Sequence, residues 1–231
     1  MDLSKYSVIS TNVEFDSDNN VIRKTYKKNL SIDITSNELK ELIDAYILLL
    51  RDSKISIPTI LNSHVDGDFV IYESQYCGKN IIELGFNILN FDTYIFQITK
   101  MLEIVKLAIN NDIYFDPHPK NFVFDDNCIY YVDFFPPYND YIKHKRLSVA
   151  KTNEIQIISE NFQFFTKEFL IEHFCGDFLN IDQNAERIFE SIYTLSKDMG
   201  LCENSFEEFT KKAKYIRDIE DERLKKGIFL L

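Results

Sequence analysis

The spacing of apolar residues changes character once along the chain, at Gly78, and that change limits the folds open to it. Before it, KYSVISTNVEF and VIRKTYKK are rich in β-branched and aromatic residues and flank the turn-forming DSDNN, which predicts a hairpin. Thr35 or Ser36 can cap a helix through NELKELIDAYILLLRD, where Leu39, Leu42, Ile43, Tyr46, Ile47 and Leu50 recur at helical spacing. SKISIPTILNS and DFVIYESQY return to strand character around a VDGD turn, with Pro58 suited to a sheet edge. After Gly78, FDTYIFQITKMLEIVKLAINN, ENFQFFTKEFLIEHFCGDFL, DQNAERIFESIYTLSKDMG and SFEEFTKKAKYIRDIEDERLKK read as helices. The expectation is an α+β chain in two lobes. A small β-rich lobe with one helix spans residues 1–78 and a larger, mainly helical lobe spans 79–231, with a ligand cleft between them.

Composition narrows the partners. With 231 residues, 45% hydrophobic and 14% aromatic, the chain can bury a sizeable core and is not a disordered polymer. Its formal net charge of -11 disfavours nucleic acid, which is held by Lys and Arg displacing counterions, and favours a cationic ligand. The opening MDLSKYSVISTNVEF has no apolar stretch of signal-peptide length, and the run AYILLL is far too short to cross a bilayer. A cytoplasmic protein with no membrane insertion is therefore expected. Cys77, Cys128, Cys175 and Cys202 form no C-x-x-C pair, so they read as ordinary reduced thiols. The closing GIFLL is expected to dock onto the helical lobe.

The chemistry is concentrated in YFDPHPKNFVFDDNCIYYVDFFPP. Asp116 and Asn121 stand five apart in a loop pinned by Pro117 and Pro119, and Asp133 follows the strand CIYYV. A carboxylate in the aromatic run YYVDFF is costly to bury unless it is paired or binds metal. An acid that accepts a hydroxyl proton, together with an amide oxygen and a second acid that bind magnesium, is what phosphoryl transfer from a nucleotide requires.

On these residues the sequence resembles the protein-kinase-like superfamily, and within it the aminoglycoside and choline kinase-like phosphotransferases. Their catalytic loop commonly reads H-G-D-x-H-P-x-N, of which this chain keeps Asp116, His118, Pro119 and Asn121. The form D-P-H-P-x-N is also similar to the atypical UbiB-like kinases. The resemblance implies a two-lobed kinase-like fold in which Asp116 is the catalytic base and Asn121 and Asp133 hold magnesium. Lys24 in VIRKTYK would contact the nucleotide phosphates, with Glu41 or Glu38 of the following helix as its partner. Backbone groups from Glu73 to Tyr76 would bind the base, and His118 would prop the loop. The implied activity is transfer of the γ-phosphate of ATP or GTP to a hydroxyl, in the first place that of a small molecule. An atypical protein kinase and a catalytically silent nucleotide sensor or scaffold are the alternatives.

The sequence departs from this pattern at three points. No glycine precedes Gly67, so DSDNN would have to cover the phosphates in place of a glycine-rich loop, with Asn19 and Asn20 in left-handed turn positions. Tyr114 replaces the histidine that usually stands two residues before the catalytic acid, and Asp133 is followed by Phe134 and Phe135. The charged run YIKHKR, residues 141–146, reads first as solvated surface.

Overall fold

The hairpin, the capped helix and the strand pair all form in the computed structural model, which describes residues 11–27, 32, 34–84, 91–125, 128–134, 139–181, 186–228 and 230. Strands β1 (Thr11–Asp16) and β2 (Val21–Lys27) pair antiparallel across the turn. Helix α1 (Ser36–Asp52) starts from a reciprocal cap: Glu38 N–H donates to Thr35 Oγ1 while Thr35 N–H donates to Glu38 Oε2. Strands β3 (Ile60–Asp66) and β4 (Phe69–Gln75) complete an antiparallel sheet of order β1-β2-β4-β3. SKISIPTILNS becomes strand only from Ile60. Upstream, the Ser56 carbonyl accepts from Tyr131 N–H, so that backbone serves another part of the chain.

A second, smaller sheet joins β5 (Lys79–Asn80), β6 (Phe122–Phe124) and β7 (Ile129–Tyr131). Gly78 makes the first contact possible, since a Cβ there would lie 1.9 Å from the Phe124 carbonyl oxygen. Helix α2 (Phe91–Asn110) is followed by α3 (Asp140–Ser148), α4 (Ile155–Gln163), α5 (Leu170–Asp177), α6 (Glu186–Asp198) and α7 (Phe206–Lys225). Helix α3 grows out of the charged run, and Arg146 turns inward to Glu154 at 3.5 Å instead of remaining solvated. Only Ile142 and Arg146 are buried along α3, too sparse a stripe for apolar spacing to reveal.

The stretch expected as one helix from Glu160 to Leu179 is broken between α4 and α5. The break turns two carbonyls outward from helical bonding: that of Phe165 accepts from Phe115 N–H, and that of Phe164 bonds His173 Nδ1. Helix α5 then lies close against α7, because Gly176 has no side chain to hold them apart. A Cβ on it would come within 2.5 Å of the Ala213 carbonyl oxygen.

Both halves share one apolar cluster, running from Tyr26, Ile43 and Tyr72 through Phe115, Phe122 and Tyr131 to Phe174 and Phe209. Each such large side chain contributes roughly 1.5–3 kcal/mol by leaving water. Ile228 and Leu230 of the closing segment are buried in the same cluster, as its apolar composition leads one to expect. Among the described residues no helix is long and apolar enough to cross a membrane.

Candidate active site

The β6–β7 hairpin brings the polar residues of the motif together. Phe122 pairs with Tyr131, so the residue before β6 and the residues after β7 emerge at the same end of the ladder. Val132 N–H donates to the Asn121 carbonyl at 2.9 Å, and the Asn121 side chain lies beside Asp133, with Nδ2 3.5 Å from Oδ2. The same Nδ2 lies 3.4 Å from the Asp116 carbonyl. Three residues spread over eighteen positions of sequence thus meet through one strand register.

The loop carrying Asp116 is fixed from both sides. Phe115 stacks on Tyr131 with ring centroids 4.1 Å apart, and Pro117 and Pro119 are buried. His118 N–H donates to Asp116 Oδ1 at 3.0 Å, and His118 Nδ1 accepts from Lys120 N–H at 3.2 Å. Burial, and then the charge of Lys120, hold the His118 imidazole well below its usual range, so it is a neutral acceptor bracing the turn. Tyr114, in place of a histidine, ties the loop outward: its hydroxyl donates to Asp140 Oδ1 at 3.0 Å, and its carbonyl accepts from the Tyr46 hydroxyl at 3.2 Å.

Lys24 reaches this centre from β2. Its ammonium donates to the Val132 carbonyl, next to Asp133, and lies over the Phe134 ring at 5.4 Å from the centroid. Burial lowers its pKa, and the Asp133 carboxylate opposes that shift. The expected acidic partner is elsewhere. Glu41 is exposed on the face of α1 opposite its buried stripe, and Glu38 is engaged in the helix cap and accepts from the Tyr141 hydroxyl at 3.3 Å. The structure therefore joins Lys24 to the Val132–Asp133 segment and to neither glutamate.

The segment expected to bind a base is largely engaged in the sheet. Glu73 is paired with Arg23 on one side and Asn62 on the other, and its carboxylate bonds Arg23 at 2.6 Å. Tyr76 N–H donates to the Asn20 carbonyl at 3.0 Å, and its ring lies 4.8 Å from that of Phe15. The DSDNN turn is thereby anchored to the end of β4, about 13 Å along β2 from Lys24 at about 3.3 Å per residue. Asn20 does take the left-handed position, with φ of 57°. Asp16 turns its carboxylate onto its own turn, accepting from the N–H groups of Asp18 and Asn19.

Behind Asp116 lies a buried charge network that the sequence reading missed. One side-chain atom each from Asp116, His173 and Asp177 lie within 4.8 Å of one another. His173 Nε2 is 3.4 Å from Asp177 Oδ2 and 3.3 Å from Glu220 Oε1, and Arg217 lies 3.0 Å from each of Asp177 and Glu220. Burial would lower the His173 pKa, but Glu220 and Asp177 override it and raise it to about 10. Burial raises Asp177 to about 7, against the attraction of His173. Glu220 falls to about 2 because His173 and Arg217 outweigh its burial. Asp116, His173 and Asp177 have the donor atoms of a metal site, yet the imidazolium and the guanidinium already supply the cationic charge these carboxylates need.

Neither comparison names a relative. A scan against protein-family models finds no match, and a search of curated proteins finds none. Only the pairs within each helix were present in sequence as spacing. His173 and Asp177 stand one helical turn apart within the apolar LIEHFCGDFL, and Arg217 stands three and four before Glu220 and Asp221. Polar pairs on an apolar helix face seek each other when buried.

Proposed function

We propose that this chain is a kinase-like phosphotransferase, which moves the γ-phosphate of ATP or GTP to a hydroxyl of a small-molecule acceptor. The observation that carries the reading is the β6–β7 register, which sets Asn121 against Asp133 at the strand end gripped by Lys24. Asp116 takes the proton of the acceptor hydroxyl as its oxygen bonds to the γ-phosphorus and the bond to the nucleoside diphosphate breaks. Lys24 offers a cation to the phosphates, and the half-buried loop keeps Asp116 aimed. The residue types present fit magnesium: Asp133 is a hard carboxylate, and Asn121, whose Nδ2 faces both the Asp116 carbonyl and Asp133 Oδ2, has its amide oxygen left as a donor. A bound magnesium ion would offset phosphate charge.

A second reading has its own observation. Glu41 stands away from Lys24 and the Glu73–Tyr76 backbone is engaged in the sheet, which favours the silent scaffold among the alternatives. Thermal stabilisation by ATP, with and without magnesium, tests the site in both cases. We expect magnesium-dependent stabilisation that Asp133→Asn loses while its ligand-free melting temperature is retained. Equal stabilisation of the two proteins would remove Asp133 from the site.

A further inference from the structure

Like charges a few ångströms apart resist being ionised together. Asp116 and Asp177 are such a pair, both within the 4.8 Å group that includes His173, and Glu220 adds a third carboxylate. Three carboxylates packed this closely need a cation among them.

We infer that His173 is a positioning residue behind Asp116: a buried imidazolium, clamped between Asp177 and Glu220, that offsets the carboxylates packed against the Asp116 loop. The inference rests on the assignment of Asp116 as the base. Its geometry is specific. The Phe164 carbonyl, 2.9 Å from Nδ1, requires a proton on that nitrogen, which leaves Nε2 facing the carboxylates. A second proton on Nε2 satisfies Glu220 and Asp177 at once, whereas a bare lone pair there would oppose both of them. Among the described residues, Asp177 Oδ2, 2% exposed, has no other hydrogen-bond partner.

The groups facing His173 come from every element around it. Asp177 lies on its own helix, Arg217 and Glu220 on α7, and Asp116 and His118 on the loop, while the Phe165 ring sits edge-on at 5.1 Å. Arg217 continues the network outward to the half-exposed Asp221 at 2.8 Å. The break between α4 and α5 and the close approach at Gly176 both serve this cluster: one supplies the Phe164 carbonyl, the other brings α7 within reach.

The test is a nitrogen-15 NMR titration of the His173 ring in the whole chain. In the wild type the imidazolium should persist far above neutral pH. Asp116→Asn should lower the His173 midpoint by about half a unit or more, as loss of a nearby anion does, while Asp16→Asn at the remote hairpin turn should leave it in place. Glu220→Gln, close in shape, should lower it further and serves if other variants fold poorly. An unresponsive midpoint, or a neutral ring at pH 7, would overturn the inference. Hydrolysis of magnesium-ATP gives the second arm: His173→Gln should reduce kcat about tenfold or more with KM for ATP unchanged. A rise in KM with kcat intact would also overturn it. If the wild type hydrolyses no ATP in the absence of an acceptor, the titration alone decides whether His173 and Asp116 are coupled, and label transfer to an acceptor decides the phosphotransferase reading separately.

Discussion

Gly176 of α5 meets the backbone of Ala213 of α7, and a Cβ on the glycine would stand 2.5 Å from the Ala213 carbonyl oxygen. Backbone cannot move aside as a side chain can, so this contact sets the distance between the two helices. It thereby sets whether Arg217 and Glu220 reach Asp177 and His173.

Gly176→Ala should destabilise the fold by about 1–3 kcal/mol, the usual cost of forcing atoms into a packed site, despite the better helix propensity of alanine. Urea unfolding measures it. Unchanged stability would mean that α5 and α7 separate at no cost.

The network also predicts a pH dependence. The His173 pKa rises from an ordinary 6.5 to about 10 on folding, so the native state binds a proton that the unfolded chain has released over that interval. The stabilisation is fully present below about pH 6.5 and is lost as pH rises towards 10. Asp177, raised from 3.8 to about 7, adds a loss of the same sign between those values. Glu220 acts oppositely: depressed from 4.5 to about 2, it contributes above pH 4.5 and fails as pH falls below. Urea midpoints should show the stability difference between wild type and His173→Gln shrinking steadily above pH 6.5. A difference constant up to pH 10 would contradict the charged imidazole.

Lys24 and Glu41 should behave as strangers. Because the lysine bonds the Val132 carbonyl and the glutamate is exposed, Glu41→Gln should change ATP affinity less than twofold, as surface substitutions generally do little. Lys24→Met should weaken ATP binding about tenfold or more through loss of a phosphate contact. Titration calorimetry of both variants checks this, and a large effect at Glu41 would bring α1 back into the site.

The strands of the larger sheet, α1 and α7 were legible because local signals agreed with the fold: alternation in β4, and capping glutamates three residues after Thr35 and Ser205. Asp116, Asn121 and Asp133 were legible because one short hairpin fixes their meeting, and its register follows from residues a few positions apart. His173, Arg217 and Glu220 were not, since their proximity depends on how α5 packs on α7, which no local spacing encodes. The break at Phe164–Phe169 escaped notice for the same reason. Its apolar residues suit a helix, and the bonds that reward breaking it go to Phe115 and His173.

Transfer of label from γ-labelled ATP, in the presence of magnesium and an extract of small hydroxyl-bearing metabolites, tests the central claim most directly when wild type and Asp116→Ala are compared at matched nucleotide occupancy. The account predicts transfer by the wild type and a loss of about a hundredfold or more in the variant, with ATP affinity unchanged, because Asp116 faces the acceptor. Equal transfer by both proteins, or a collapse of ATP affinity in the variant, would contradict it.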